Sequence, residues 1–177
     1  MKKISILFCL AAWLVAPAWA AEPERTSGMT PFQIGFWGPN AQLFPEPMKV
    51  MGLRLNLARS DNREVVGLDL GLASRARRMD AIQLNFVNTV EQSFNGVSVG
   101  LYGTMGSMSG LQGGLFNTVS GDMTGFQLGL FNQANDATGF QIGLFNRTVS
   151  MRGVQIGLVN LIEDGPVTFF PIVNAAF

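Results

Sequence analysis

One short phrase is written repeatedly along this chain at a nearly fixed interval. It reads Gly-Phe-Gln-Leu-Gly-Leu-Phe-Asn at 125–132, Gly-Phe-Gln-Ile-Gly-Leu-Phe-Asn at 139–146 and Gly-Val-Gln-Ile-Gly-Leu-Val-Asn at 153–160. Looser copies begin at Gly67, Ala81, Gly96 and Gly110. Repetition on this scale means that the architecture comes from stacking one small unit rather than from one asymmetric core.

The unit is a strand. Apolar and polar residues alternate through Leu53-Arg54-Leu55-Asn56-Leu57, Leu68-Asp69-Leu70-Gly71-Leu72 and Ile82-Gln83-Leu84-Asn85-Phe86, and through the later copies. Period two is the strand signal. Helix is a poor alternative, because Gly recurs within each copy and costs about 1 kcal/mol at each helical position. The spacing predicts ten strands: 32–37, 50–59, 65–74, 81–90, 95–103, 110–118, 124–133, 138–147, 152–161 and 166–177. One face is Leu, Ile, Val and Phe. The other is Gln, Asn and Gly, except that Phe116, Phe131 and Phe145 fall on it.

Two all-β architectures suit such a pattern. The first is an antiparallel meander closing into a barrel; the alternative is a parallel β-solenoid. Recurrent Asn88, Asn117, Asn132, Asn146 and Asn160 suit the solenoid, where identical side chains stack into ladders. The steps between copies, measured from Leu53 to Val154, run 15, 14, 15, 14, 15, 14 and 14 residues. Alternating lengths suit the meander, whose successive turns lie at opposite ends of the sheet, and make the barrel the leading expectation. Its Leu/Phe face would meet lipid. Gln83, Gln112, Gln127, Gln141 and Gln155 would face a lumen or a polar ligand. In the solenoid the Leu/Phe face is expected to pack inward.

The first twenty residues read as a signal peptide: Lys2 and Lys3, an apolar run from Ile4 to Val15, and the cleavage signature Ala18-Trp19-Ala20. Residues 21–49 form a leader with a first strand, and 50–177 the repeat domain. Removing Lys2 and Lys3 leaves ten basic residues against twelve acidic, so no basic stripe is expected to track nucleic acid. The chain has no His, and its one Cys, Cys9, lies in the signal segment. His-dependent triads, Cys nucleophiles and the common zinc sites are therefore not expected, and neither is a cofactor. A carboxylate pair would have to come from acids such as Asp69, Glu64, Asp80, Glu91, Asp122, Asp136, Glu163 and Asp164, most of which fall between copies and read as solvated turn residues. The expectation is a non-enzymatic protein.

At the chain end Val167, Phe169, Val173, Ala175 and Phe177 alternate, interrupted by Pro171. This resembles the last strand of bacterial outer-membrane barrels, which implies that Phe177 is an assembly signal and that outer-membrane lipid and the envelope assembly machinery are partners. Residues 50–177 also resemble a group of exported bacterial surface-repeat proteins with tandem Gly-x-Gln-x-Gly-Leu-x-Asn units. That resemblance implies export to the outer membrane or cell surface, or alternatively the periplasm, and brings no catalytic residue or ligand.

Overall fold

The structure, a computed structural model, describes residues 28–177, so residues 1–20, expected to be a signal peptide, and the start of the expected leader lie outside the described residues. The strands are β1 (Met29–Gly35), β2 (Lys49–Val99), β3 (Tyr102–Ile142), β4 (Phe145–Ile162) and β5 (Phe169–Ala176). They form one sheet in chain order. Fully extended, the 51 residues of β2 would span about 170 Å. Instead the chain winds: a Cβ on Gly67 would lie 2.2 Å from the carbonyl oxygen of Gly52, one coil earlier. β2 pairs in parallel with β3, Val87 opposite Tyr102, and β3 pairs in parallel with β4, Phe131 opposite Phe145. The chain is a β-solenoid. The expected meander and barrel are overturned, because neighbouring coils run parallel and no lumen is enclosed.

The alternating step lengths have another cause. Val90 pairs with Met105, fifteen residues on, whereas Ser93 pairs with Ser107, fourteen on, and the register slips between them. The longer coils place three residues between inward apolar positions, as between Val90 and Phe94 or Val119 and Met123. The shorter coils place two, as between Met105 and Met108 or Ala134 and Ala137. The extra residue bulges outward at one corner and leaves the rest of the coil in register.

The direction of the side chains reverses the expectation for a solenoid. In the coil that starts at Gln127, the inward positions are Gln127, Gly129, Asn132, Ala134 and Ala137. Phe126, Leu128, Leu130 and Phe131 point outward. The alternation breaks between Leu130 and Phe131, where the chain turns a corner and two consecutive apolar residues face solvent. Phe116 and Phe131 thus lie on the outside beside the Leu row, not on the polar side that strict alternation assigns. The apolar core is confined to the far side of the coil, where Met79, Phe94, Met108, Met123 and Ala137 stack on one another.

Close stacking places a Gly with positive φ at the start of every copy except the one that begins at Ala81. Gly139 has φ +132°, and a Cβ there would sit 2.1 Å from the Gly125 carbonyl oxygen. Both ends of the stack are covered. Residues 36–48 fold across the first coil, with Leu43 N–H donating to the Ile34 carbonyl and Phe44 N–H donating to Gln33 Oε1. β5 reverses direction and pairs antiparallel with β4, Ile156 opposite Val173. It is an edge strand, where Pro171 loses no ladder bond.

Candidate docking face and the amide interior

Stacking in register converts each repeated residue into a column. The sequence singled out Gln83, Gln112, Gln127, Gln141 and Gln155, and the structure places them in one column inside the coil, each essentially without solvent exposure. Gln127 Nε2 donates to Gln112 Oε1 at 3.0 Å, Gln141 Nε2 to Gln127 Oε1 at 2.6 Å and Gln155 Nε2 to Gln141 Oε1 at 2.9 Å. A buried amide is tolerable only when bonded, and here each copy satisfies the next. These residues line no channel and offer no surface to a solute.

The Asn residues make a second ladder. Asn117 donates to Asn132 at 2.9 Å, Asn132 to Asn146 at 2.8 Å and Asn146 to Asn160 at 2.8 Å. Each also donates to a backbone carbonyl of the following coil: Asn117 to Leu128, Asn132 to Ile142 and Asn146 to Ile156. Both ladders break where Ser98 and Gly103 replace Gln and Asn, leaving Gln112 Nε2 and Asn117 Oδ1 without partners.

Nearer the first coil the Gln column is continued by charge. Arg54 and Asp69, both fully buried, pair through Nε to Oδ1 at 2.7 Å and Nη2 to Oδ2 at 3.0 Å. Asp69 also accepts from Asn56 at 2.6 Å, Asn85 at 3.0 Å and Gln83 at 3.2 Å. Burial alone would raise the Asp69 carboxyl. The Arg54 charge and hydrogen bonds from Arg54, Ser74 and Asn56 outweigh it and hold the carboxyl below its usual range. Asp69 is therefore an interior structural group held within a strand, unlike the acids that fall between copies. Asp61 is also buried and pairs with Arg59. Among the acids outside, Glu64 pairs with Lys49, Glu91 with Arg75 and Glu163 with Arg147, each on an adjacent coil. Among the described residues, no group of His, Cys, Asp and Glu is arranged to hold a metal ion.

What the interior expels, the surface carries. Rows beginning at Leu53, Leu68, Ile82, Val97, Leu111, Phe126, Phe140 and Val154 stack into one apolar sheet face, which also includes Val173 from β5. Phe126 and Phe140 stack with centroids 5.2 Å apart and planes 9° apart, and Phe116 and Phe131 at 5.1 Å and 4°. At about 4.8 Å per row the stack from Leu53 to Val154 is on the order of 35 Å long, and the run from Phe126 to Leu130, before the corner, is about 13 Å wide. The product, about 460 Å², lies within the ~300–600 Å² of the largest apolar patch on a monomer, patches that are often functional. Period two had revealed this row set. What it could not reveal was which of the two faces turns outward.

Comparison with protein-family models, with curated proteins and with solved structures finds no match to this chain.

Proposed function

We propose that this chain is an exported cell-envelope β-solenoid that acts as a binding or scaffold protein, and that the flat Leu/Phe face is its working surface. The observation that carries the reading is the inversion of the usual pattern. Amide side chains occupy the interior, and a continuous charge-free apolar face is left outside. A stack needs neither feature to be soluble, since the polar residues could as well have pointed outward. The signal-like first twenty residues and the likeness to exported surface-repeat proteins support the location.

An environment-sensitive fluorophore on a Cys at position 128 tests the reading. Leu128 lies on the apolar face, and Asn135 on the polar side of the same coil supplies the control. Labelled in the native envelope, the probe at 128 should emit from a dry environment and the probe at 135 from water. Equal, wet emission at both positions refutes a docking face.

A further inference from the structure

Resting on the docking-face reading, the next question is what covers the face, and we propose that the occupant is a second copy of this chain, packed face to face as a closed pair. Area is the first argument. The Phe32 row of β1 and the Val173 row of β5 continue the face at its two ends. Each adds about 60 Å² by the same row dimensions, so the whole comes to about 590 Å², close to the ~600 Å² per partner at the low end of stable interfaces. A copy of the chain also repeats at the same row spacing along the full length, which an irregular partner does not.

The second argument is the size of the side chains within each row. Rotation by half a turn about the stack axis brings each row against its own copy, reversed. Phe126 then faces Leu130 of the other copy, Phe140 faces Leu144, and Ile82 faces Phe86. Phe occupies only one end of any of these rows, so every such pairing sets a large side chain against a medium one. Sheets packed this way sit about 10 Å apart with interdigitated side chains. The pair is isologous and closed, so it does not propagate into a fibre. End-to-end growth is opposed separately by residues 36–48 over one end and by the Pro171 edge strand at the other.

A bilayer fits the surroundings of the face less well. Surfaces that lie on membranes are bordered by Trp, Tyr, Lys and Arg. Here Tyr102 is the only Tyr, Trp37 lies in the segment over the first coil, and Lys49, Arg63, Arg77 and Arg78 gather around a concavity away from the apolar rows.

Sedimentation velocity of the purified protein without detergent should give twice the chain mass at micromolar concentration. Leu128→Lys with Ile142→Lys places charges on the outward face, where folding does not require them to be buried. This double variant should weaken dimerisation at least ~100-fold. Ser120→Lys with Asn135→Lys on the polar side should leave it unchanged, with the same β signal in circular dichroism for all three. A second measurement does not depend on the folding of a charged variant. In a Cys9→Ser background, Ile142→Cys should cross-link to its own copy through a short bis-maleimide, and Asn135→Cys should not. Wild-type protein that stays monomeric to ~100 µM overturns the proposal, as does a dimer indifferent to the lysine pair on the face. A monomer that floats with phosphatidylcholine vesicles also overturns it and assigns the face to lipid. In each case a dry probe at position 128 leaves the docking face standing, and only a wet probe removes it.

Discussion

The Arg54–Asp69 pair allows a quantitative test of how this interior is held. Asp69→Asn keeps the shape and removes the charge. Arg54 would remain fully buried with only neutral acceptors, Asn62 Oδ1 at 3.3 Å and the Arg75 carbonyl at 3.1 Å among them. The new amide nitrogen would also point at a present donor whichever oxygen it replaces, at Asn56 in place of Oδ1 or at Gln83 and Asn85 in place of Oδ2. Stranding one partner of a buried pair costs about 3–5 kcal/mol, a large part of the ~5–15 kcal/mol that holds a typical domain together. The double variant Arg54→Gln with Asp69→Gln is expected to behave differently, because two amides in this column extend the Gln ladder toward Gln83. It should fall within about 1 kcal/mol of wild type. Urea unfolding followed by circular dichroism at pH 7 reads both. The pH dependence follows from the sign of the shift. The folded carboxyl is depressed, so its contribution is complete above the unfolded value of about 3.9 and is lost as pH falls through the lower folded value. The gap between wild type and Asp69→Asn should therefore narrow below about pH 4. A single variant within 1 kcal/mol of wild type at pH 7, or a double variant as unstable as the single, refutes the reasoning.

Two further outcomes follow from backbone and end geometry. Gly139→Ala should destabilise by about 1–3 kcal/mol in the same urea assay, because its φ is +132° and its Cβ would meet the Gly125 carbonyl at 2.1 Å; Gly113→Ala, whose nearest contact would be 3.9 Å away, should change little. Deleting Phe177, which is 97% exposed beyond the end of β5, should shift stability by less than ~0.5 kcal/mol and leave the amount of protein in the envelope unchanged, whereas an assembly signal at this residue would make that amount collapse.

The all-β character was legible from alternation, and so was the identity of the two faces, but not the ten separate strands: the chain forms five, and β2 alone runs through three of the expected turns. The stacking direction was not legible either. A 14-residue and a 15-residue step look like two kinds of turn until the register shows one extra residue bulging at the corner near Glu91 and Gln92. Which face turns inward was also hidden, because a Leu/Phe row has a strong prior for burial. That prior fails here because parallel, in-register stacking gives each Gln and Asn an identical neighbour to bond, a satisfaction no single copy can express. Two local signs did point the right way. Leu130-Phe131 and Leu144-Phe145 put two apolar residues in succession immediately before Asn132 and Asn146, marking a corner rather than a continued strand. The Asn series itself was read as a possible ladder. The charged head of the column was missed altogether, since Arg54 and Asp69 look in sequence like ordinary polar members of an alternating strand.

The near-identity of successive copies makes the length of this molecule an adjustable quantity. Residues 125–132 and 139–146 differ at one position, Leu128 against Ile142. Loss of residues 125–138 would join Thr124 to Gly139 and carry Gln141 into the place of Gln127, above Gln112, with Asn146 above Asn117. No hydrogen-bonding partner in either column would change its chemical type. The same holds for a duplication. Exchange between neighbouring copies can thus lengthen or shorten the chain in quanta of one coil while both covered ends stay as they are. Each quantum moves the boundary of the apolar face by about 4.8 Å. The reach of the surface is set by how many times one phrase is repeated, much as the span of a ruler is set by its divisions.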